Sequence, residues 1–281
     1  VRTVAIIPKR TKAEASELAE RVARWLTEHG HEALSEVGTP VAGTAQASAA
    51  EIAKRAELIV VLGGDGTLLH AAHLCQNREI PIIGVNLGTL GFMTEIRRDR
   101  LFHALEKAVA GAVRVDRRMK LRVIVRRGHD ILIDAEVLND VVINKPALAR
   151  IADIEALADG IPVTTYKADG VIVATPTGSS AYSLAAGGPL IHPVMRALLL
   201  TPICPHTLTQ RPIVLPDEQE IELVIRSDEE LFITLDGQSG RALLQGDRVH
   251  VCKAPTAALL VREEGTSYYG ILRDKLRWGE R

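Results

Sequence analysis

Apolar and polar positions change rhythm about two-fifths of the way along the chain. Up to Ala112, short apolar runs alternate with segments of helical period; beyond it, strand-like runs follow one another. Val1–Ile7 is apolar and largely β-branched and stops at Pro8, which predicts a first strand. Thr11-Lys-Ala-Glu14 has the spacing of a capping box. Ala15, Leu18, Val22, Trp25 and Leu26 then share one helical face, with Gly30 beyond its end. A strand near His31–Val37 and a small-residue stretch, Gly38 to Ala50, come next. A strand at Leu58–Leu62, a helix over Thr67–Gln76, a strand at Pro81–Val85 and a helix over Asp99–Ala110 complete the series. This βαβ alternation predicts a parallel sheet covered by helices.

From Val113 the period is that of strands. Lys120–Arg126 and Asp130–Glu136 flank Arg127-Gly-His129, a hairpin signal. Ile151–Leu157, Val163–Tyr166, Val171–Ala174, Glu220–Arg226, Phe232–Leu235 and Val249–Cys252 also read as strands. One helical piece is predicted from Ser180 towards Gly187. The fold class expected is therefore an α/β domain with a Rossmann-like parallel sheet over 1–112, followed by an all-β sandwich over 113–265. The tail from 266 to 281 is no longer β-like. No internal repeat or low-complexity segment interrupts this division.

The densest chemistry lies in Leu58-Ile-Val-Val-Leu-Gly-Gly-Asp-Gly-Thr-Leu-Leu69, a buried strand, a tight loop and the start of a helix. A loop at the carboxyl end of a parallel strand is where open α/β sheets hold ligands. Gly63, Gly64 and Gly66 leave backbone N–H groups uncovered for a phosphate. Asp65 repels phosphate, and so makes sense there as an acceptor of a proton from an attacking hydroxyl, or as a help in holding Mg²⁺. The plain alternative is an N-cap aspartate in an ordinary turn. Asn86-Leu-Gly-Thr-Leu-Gly-Phe92 is a second glycine loop after a strand; both loops leave the same sheet edge. Neither a Walker A sequence nor the Gly-x-Gly-x-x-Gly dinucleotide fingerprint is present, which disfavours a Rossmann dehydrogenase.

In the second half, Asn139-Asp140 offers an amide able to satisfy an adenine edge and a carboxylate for ribose hydroxyls. Taken alone it is also a common turn pair. Thr175-Pro-Thr-Gly-Ser-Ser-Ala-Tyr182 sets hydroxyls, Thr177 among them, at a helix entry suited to a polar or anionic ligand. An ordinary N-cap reads the same residues without a ligand. Tyr182 offers a ring face to a base, and Asp169, after Lys167, a carboxylate for a carboxamide or ribose. Asp236-Gly237 reads as a hairpin turn. His70 and His73 lie three apart with Cys75 nearby, but no fourth partner makes a metal site, and none is assigned.

Composition narrows the classes. The chain has 281 residues, 47% of them hydrophobic, enough for two domains. A net charge of −1 and 3% aromatic residues argue against nucleic-acid and membrane partners. Cys75, Cys204 and Cys252 have no paired spacing and read as buried small hydrophobes in a reducing cytoplasm. The N-terminal strand is too short and wrongly flanked for a signal peptide, and no run approaches the ~20 apolar residues of a membrane span.

Gly63-Gly-Asp-Gly-Thr67 resembles the signature of a superfamily that holds NAD kinases, diacylglycerol and sphingosine kinases and, with a variant, ATP-dependent phosphofructokinases. Leu138-Asn-Asp-Val-Val142, Asp169–Tyr182 with Gly187-Gly-Pro189, and Asp236-Gly-Gln238, in this order, narrow the resemblance to the bacterial NAD kinases. It implies phosphorylation of the 2′-hydroxyl of the adenosine ribose of NAD⁺, with ATP or polyphosphate as donor and Mg²⁺ or another divalent cation as cofactor. Asp65 would be the catalytic base, with Gly63, Gly64, Gly66 and Thr67 at the phosphates. NAD contacts would come from His70, Phe92, Asn139, Asp140, Asp169, Thr177 and Gln238, and from the segment Ser180, Ala181, Tyr182, Ser183, Leu184 and Ala185. Basic residues near the dinucleotide would be Arg150 and Lys167; the family often has Arg at the second, whose bidentate fork Lys lacks. Ser180 stands where the pattern has Thr. Ala185 stands where it often has Ser, and offers no side-chain hydrogen bond. The resemblance also implies a homodimer or homotetramer and a tail that packs back on the first domain. A lipid kinase is the neighbouring reading, disfavoured by the lack of a basic amphipathic helix. A dinucleotide sensor without turnover is the other, opposed by the presence of Asp65.

Overall fold

The computed structural model describes residues 1–88, 91–146, 150–263 and 265–277. The chain divides into two compact units, one formed by Val1–Arg117 with Ala257–Arg281 and the other by Arg118–Thr256.

The first unit runs β1 (Thr3–Pro8), α1 (Ala13–Glu28), β2 (Glu32–Glu36), β3 (Ala45–Ala47), α2 (Ala49–Arg55), β4 (Leu58–Gly63), α3 (Asp65–Leu74), β5 (Pro81–Asn86), β6 (Ile96–Arg97) and α4 (Leu101–Val109). Its strands are parallel in the order β3-β2-β1-β4-β5, as the alternation predicts. Strand β4 is buried at every position, which is why it reads as an unbroken apolar run. Helix α1 lays Leu18, Val22 and Leu26 on Val4, Ile6, Val60 and Leu62 of the sheet. Each of these large side chains contributes ~1.5–3 kcal/mol by its burial. The chain leaves β1 towards β2 on one side and returns to β4 on the other, so the order reverses between β1 and β4. That is the switch point at which such sheets open a crevice. The carboxyl ends there are Pro8 and Gly63.

The capping box expected at Thr11–Glu14 is absent: Lys12 caps α1 and makes no side-chain cap bond. The box lies instead at α2, where the Ser48 hydroxyl and the Glu51 carboxylate satisfy each other's backbone N–H groups. That helix is short and rich in alanine and begins only at the end of the Gly38–Ala50 stretch, so it shows no periodicity.

The second unit carries β7 (Val115–Arg127, from Arg118 on), β8 (Asp130–Val137), β9 (Asp140–Asn144), β10 (Ala152–Ala158), β11 (Ile161–Ala168), β12 (Gly170–Ala174), α5 (Tyr182–Ala185), β13 (Ala197–Ile203), β14 (Ile213–Pro216), β15 (Ile221–Ile225), β16 (Leu231–Leu235), β17 (Ser239–Leu243) and most of β18 (Arg248–Val261). Strands β14-β13-β12-β9-β16-β17 make one antiparallel sheet. Strands β11-β10-β15-β18, with the β7–β8 hairpin, make a second antiparallel layer. Alternate residues of both, such as Val141, Val171 and Ile233 from one and Leu121, Ile154 and Leu223 from the other, share one core. Strands β9, β12 and β13 are buried on their other face too, through Val142, Ile172 and Leu199.

Residues 257–265, expected in the second domain, group with the first unit, because Leu259 and Leu260 pair in parallel with Pro81 and Ile82 of β5. The last helix, α6 (Tyr268–Leu276), belongs to the same unit, and its Lys275 ammonium lies 6.0 Å from the Phe92 ring centre. No helix among the described residues is long and apolar enough to cross a membrane.

Candidate functional site

In the first unit the glycine turn caps the switch point. Gly63 ends β4, Gly64 is the extended N-cap of α3, and Asp65 opens the helix. Gly63 has no room for a side chain: a Cβ there would stand 2.5 Å from Thr67 Oγ1 and 3.2 Å from Lys9 Cβ. The half-buried Asp65 carboxylate reaches across to the second glycine loop. Its Oδ2 accepts the Phe92 N–H at 2.8 Å. Its Oδ1 accepts the Met93 N–H at 3.1 Å, the Thr94 N–H at 3.0 Å and the Thr94 hydroxyl at 3.1 Å. Gly91 is required for this approach, since a Cβ would lie 2.2 Å from Asp65 Oδ1. Asn86 braces the same loop, its amide donating to Thr94 Oγ1 at 3.1 Å and its Oδ1 accepting from Gly88 N at 2.6 Å. Lys12 brings a cation to the loop by donating to the Leu87 carbonyl at 2.7 Å. Thr89 and Leu90, the middle of that loop, lie outside the described residues.

Each carboxylate oxygen has two lone-pair directions, so the contacts saturate Oδ1 and leave one direction on Oδ2. Asp65 is therefore both a clasp and an acceptor with a vacant direction. His70, one helical turn on, does not turn to the glycines: its Nε2 lies 2.8 Å from Glu36 Oε2 on β2. Gly66 is exposed and Thr67 half-buried. Among the described residues no group of His, Cys, Asp and Glu forms a metal cage. A cation carried mainly by phosphate and water oxygens, with one carboxylate contact, is what this donor set fits.

In the second unit a cavity of ≈ 340 Å³ is rimmed by Asn139, Asp140, Ala181, Tyr182, Thr234 and Asp236. Asp140 opens β9 and is buried. Burial, and then the charge of Asp236, push its carboxyl up to about 7. Asn139 Oδ1 and Thr177 Oγ1 are buried with no hydrogen-bond partner, an amide oxygen in want of a donor and a hydroxyl with neither donor nor acceptor. Tyr182 is 45% exposed, with its ring at the rim. The Thr175–Tyr182 loop is pressed onto the Asn139 turn: Thr175 N donates to Asn139 O at 2.9 Å, and Thr175 Oγ1 to Leu138 O at 2.7 Å. Gly178 packs so closely that a Cβ would stand 2.0 Å from the Asn139 carbonyl oxygen.

The helix expected from Ser180 to Gly187 is instead a 3-10 turn, Gly178–Ser180, and the four-residue α5, broken at Ala181. It presents no helical N-terminus to an anion. Within it, Ser180 Oγ folds back to Thr177 O at 3.2 Å, and buried Ser183 pairs with Thr201 Oγ1 at 2.9 Å. Leu184 is half-buried and Ala185 exposed. The other residues lie off the cavity rim. Lys167 pairs with Asp153 at 3.6 Å, Asp169 with Lys145 at 3.5 Å, and Arg150 with Glu229 at 3.8 Å. Gln238 is an exposed hairpin residue whose N–H donates to Leu235 O at 2.9 Å. Cys204, expected to be buried, is exposed, because it leaves β13 with a φ of 45° in a surface turn.

Sequence reasoning missed Lys12, Thr94 and Asp236. The first was absorbed into a supposed cap. The other two act through backbone contacts between segments far apart in the chain, which spacing does not reveal.

Residues 4–113 match the ATP-NAD kinase N-terminal domain model and 138–263 the ATP-NAD kinase C-terminal domain model. The NAD kinase of Geobacter metallireducens is 52% identical over 240 residues, 85% of each chain. That of Geotalea daltonii is 45% identical over 284 residues, covering both chains fully. Among solved structures, yeast NADH kinase complexed with NADH superposes with a TM-score of 0.92 at 23% identity, covering 100% of this chain and 89% of that one, and so shares its fold. An NAD kinase from Archaeoglobus fulgidus in complex with ATP superposes with a TM-score of 0.76 at 26% identity, covering 98% of each. Two family models across most of the chain, together with full-length relatives well above 30% identity, place it: the chain belongs to the ATP-NAD kinase family.

Proposed function

We infer that the chain phosphorylates NAD⁺ to NADP⁺, transferring the γ-phosphoryl group of ATP to the 2′-hydroxyl of the adenosine ribose. The observation that carries this reading is the Asp65 turn, a glycine-flanked carboxylate at the switch point with one oxygen direction unengaged. Phosphoryl transfer asks a protein chiefly for positioning and charge stabilisation. Asp65 Oδ2 accepts the proton of the 2′-hydroxyl, while Oδ1 stays bound to the loop and holds the carboxylate in place. The backbone around Gly63, Gly64 and Gly66, with Thr67, steadies phosphate oxygens. Mg²⁺, when bound, would spread phosphate charge; Asp65 could hold it only through the same open Oδ2 direction, as the alternative to taking the proton. Polyphosphate is a donor to be tried beside ATP.

The cavity of the second unit is the place for the adenosine half of the dinucleotide. Asn139 Oδ1, buried without a donor, suits the adenine amino group. Asp140 meets ribose hydroxyls, and Tyr182 stacks on a base. Ala181 and Tyr182 line the cavity; Thr177, Ser180, Ser183, Leu184, Ala185, Asp169, Lys167, Arg150 and Gln238 in this unit, and His70 and Phe92 in the first, are further candidate contacts to be tested one by one. The reading includes a homo-oligomer, dimer or tetramer, working in the cytoplasm; sedimentation velocity decides its size.

The experiment is direct. Purified protein is incubated with NAD⁺, ATP and Mg²⁺, and NADP⁺ is followed through an NADP-specific dehydrogenase. Steady NADP⁺ formation is expected. NAD binding without turnover, with ATP or polyphosphate, would instead favour a sensor.

A further inference from the structure

The turn that carries Asn139 and Asp140 is held by a residue outside it. Asp236 lies between β16 and β17 and is buried, with a left-handed φ of 50° followed by Gly237 at 65°. This Asp-Gly pair turns the hairpin so that the side chain points back across the sheet. Its Oδ2 accepts the Leu138 N–H at 2.8 Å, and its Oδ1 accepts those of Asn139 at 2.7 Å and Asp140 at 3.0 Å. In return, Asp236 N donates to Asp140 O at 3.0 Å. Three consecutive amides thus converge on one carboxylate, and both partners line the same cavity. Charge-assisted bonds of this kind are stronger than neutral ones and fix direction as well as distance.

We propose that Asp236 is a positioning residue of the dinucleotide pocket, whose buried carboxylate gathers the backbone of Leu138, Asn139 and Asp140 and so aims the Asn139 amide and the Asp140 carboxyl at their ligand. The proposal rests on the reading of this cavity as the NAD site. Asp236 acts through the turn and touches no reacting atom. A neutral amide in its place keeps an oxygen for the Asn139 and Asp140 N–H groups but sets an NH₂ against the Leu138 N–H. Donor then faces donor, and the turn must shift. Gly178, packed against the Asn139 backbone, leaves little freedom for that shift.

The test is Asp236→Asn, assayed as full-length enzyme with NAD⁺ and ATP varied separately. KM for NAD⁺ should rise roughly 10–100-fold, while KM for ATP and kcat at saturating NAD⁺ stay within about twofold. Thermal melting checks that the variant is folded; should it melt too low, Asp236→Glu is read by the same split, since it keeps the charge but moves the oxygens. In an Asn139→Ala background Asp236→Asn should raise KM for NAD⁺ by a clearly smaller factor than in wild type, because one of the two residues it aims has gone. Folded variants with an unchanged KM for NAD⁺, or full additivity with Asn139→Ala, would overturn the proposal and leave the kinase reading standing. Wild type that forms no NADP⁺ would overturn both.

Discussion

Asp140→Asn offers a sharp test of the pocket's electrostatics. Burial first, and the Asp236 charge second, raise the Asp140 carboxyl from 3.8 to about 7. Tyr182, at the same rim, is the other titratable side chain on the cavity. A folded-state value above the unfolded one means that the folded chain holds a proton the unfolded chain releases. The stability linked to that proton is complete below pH 3.8 and drains away as pH rises through about 7. The interval corresponds to ~4 kcal/mol at ~1.36 kcal/mol per decade. Asparagine keeps the size and abolishes the ionisation. Relative to wild type, the variant should therefore gain ~1.4 kcal/mol per pH unit between about pH 5 and 6.5, reaching ~4 kcal/mol above about pH 8. Urea unfolding at pH 5, 6, 7 and 8 measures it. A difference that does not change with pH, or a variant that loses ground towards pH 8, would refute the reasoning. A variant both more stable and poorer at binding NAD⁺ is the expected signature of a site kept strained for its ligand.

The remaining expectations are simpler. Asp65→Asn should lower kcat by ~10²–10⁴-fold, with an added drop in melting temperature because its NH₂ group faces the loop amides; a fully active variant removes it as the base. Asn139→Ala should raise KM for NAD⁺ about tenfold or more and leave KM for ATP alone, and a flat KM takes it out of the pocket. Gly178→Ala would drive a Cβ to within 2.0 Å of the Asn139 carbonyl oxygen. It should cost ~1–3 kcal/mol in stability and weaken NAD⁺ binding, and calorimetry showing neither would contradict the packing.

What the sequence made legible follows physical range. Strands β1, β4 and β5 and helix α1 declare themselves because burial of one face imposes a period on neighbouring residues. The glycine turn is legible for a similar reason: Gly63, Gly64 and Gly66 relax the backbone where it must bend or be approached, and Asp65 stands among them. Helix α2 was hidden, because Ala49–Arg55 is held by the Ser48–Glu51 box and buries only Ile52 and Ala53. The Ser180 segment misled for the opposite reason. Its small residues look helical, yet Ser179 and Ser180 spend their hydroxyls on the carbonyls of Pro176 and Thr177, local bonds that compete with a helix, and Ser183 is tied to Thr201 of β13. Strand β13 is buried at every position and carries Pro202, so alternation never showed it.

Two carboxylates, Asp65 and Asp236, do the same thing in separate units. Asp65 collects the N–H groups of Phe92, Met93 and Thr94, and Asp236 those of Leu138, Asn139 and Asp140. In each, a short side chain on a turn beside glycine gathers three consecutive amides from a distant segment, with little rotamer entropy to lose. The difference between them assigns their roles. Asp236 is buried, and the backbone it holds carries the binding groups; Asp65 is half-exposed and keeps an oxygen direction open. A clasp that is also partly accessible can fix a loop and accept a proton with one group. Asp65 stands out in the sequence because its glycines do, whereas Asp236 looks like any hairpin aspartate until its three donors, nearly a hundred residues earlier, are seen. Thr94 separates the two duties of Asp65: removing its hydroxyl with Thr94→Val strips one donor from Oδ1 and leaves Oδ2 untouched. Loop order should suffer more than proton transfer, which makes that variant the natural control for Asp65→Asn.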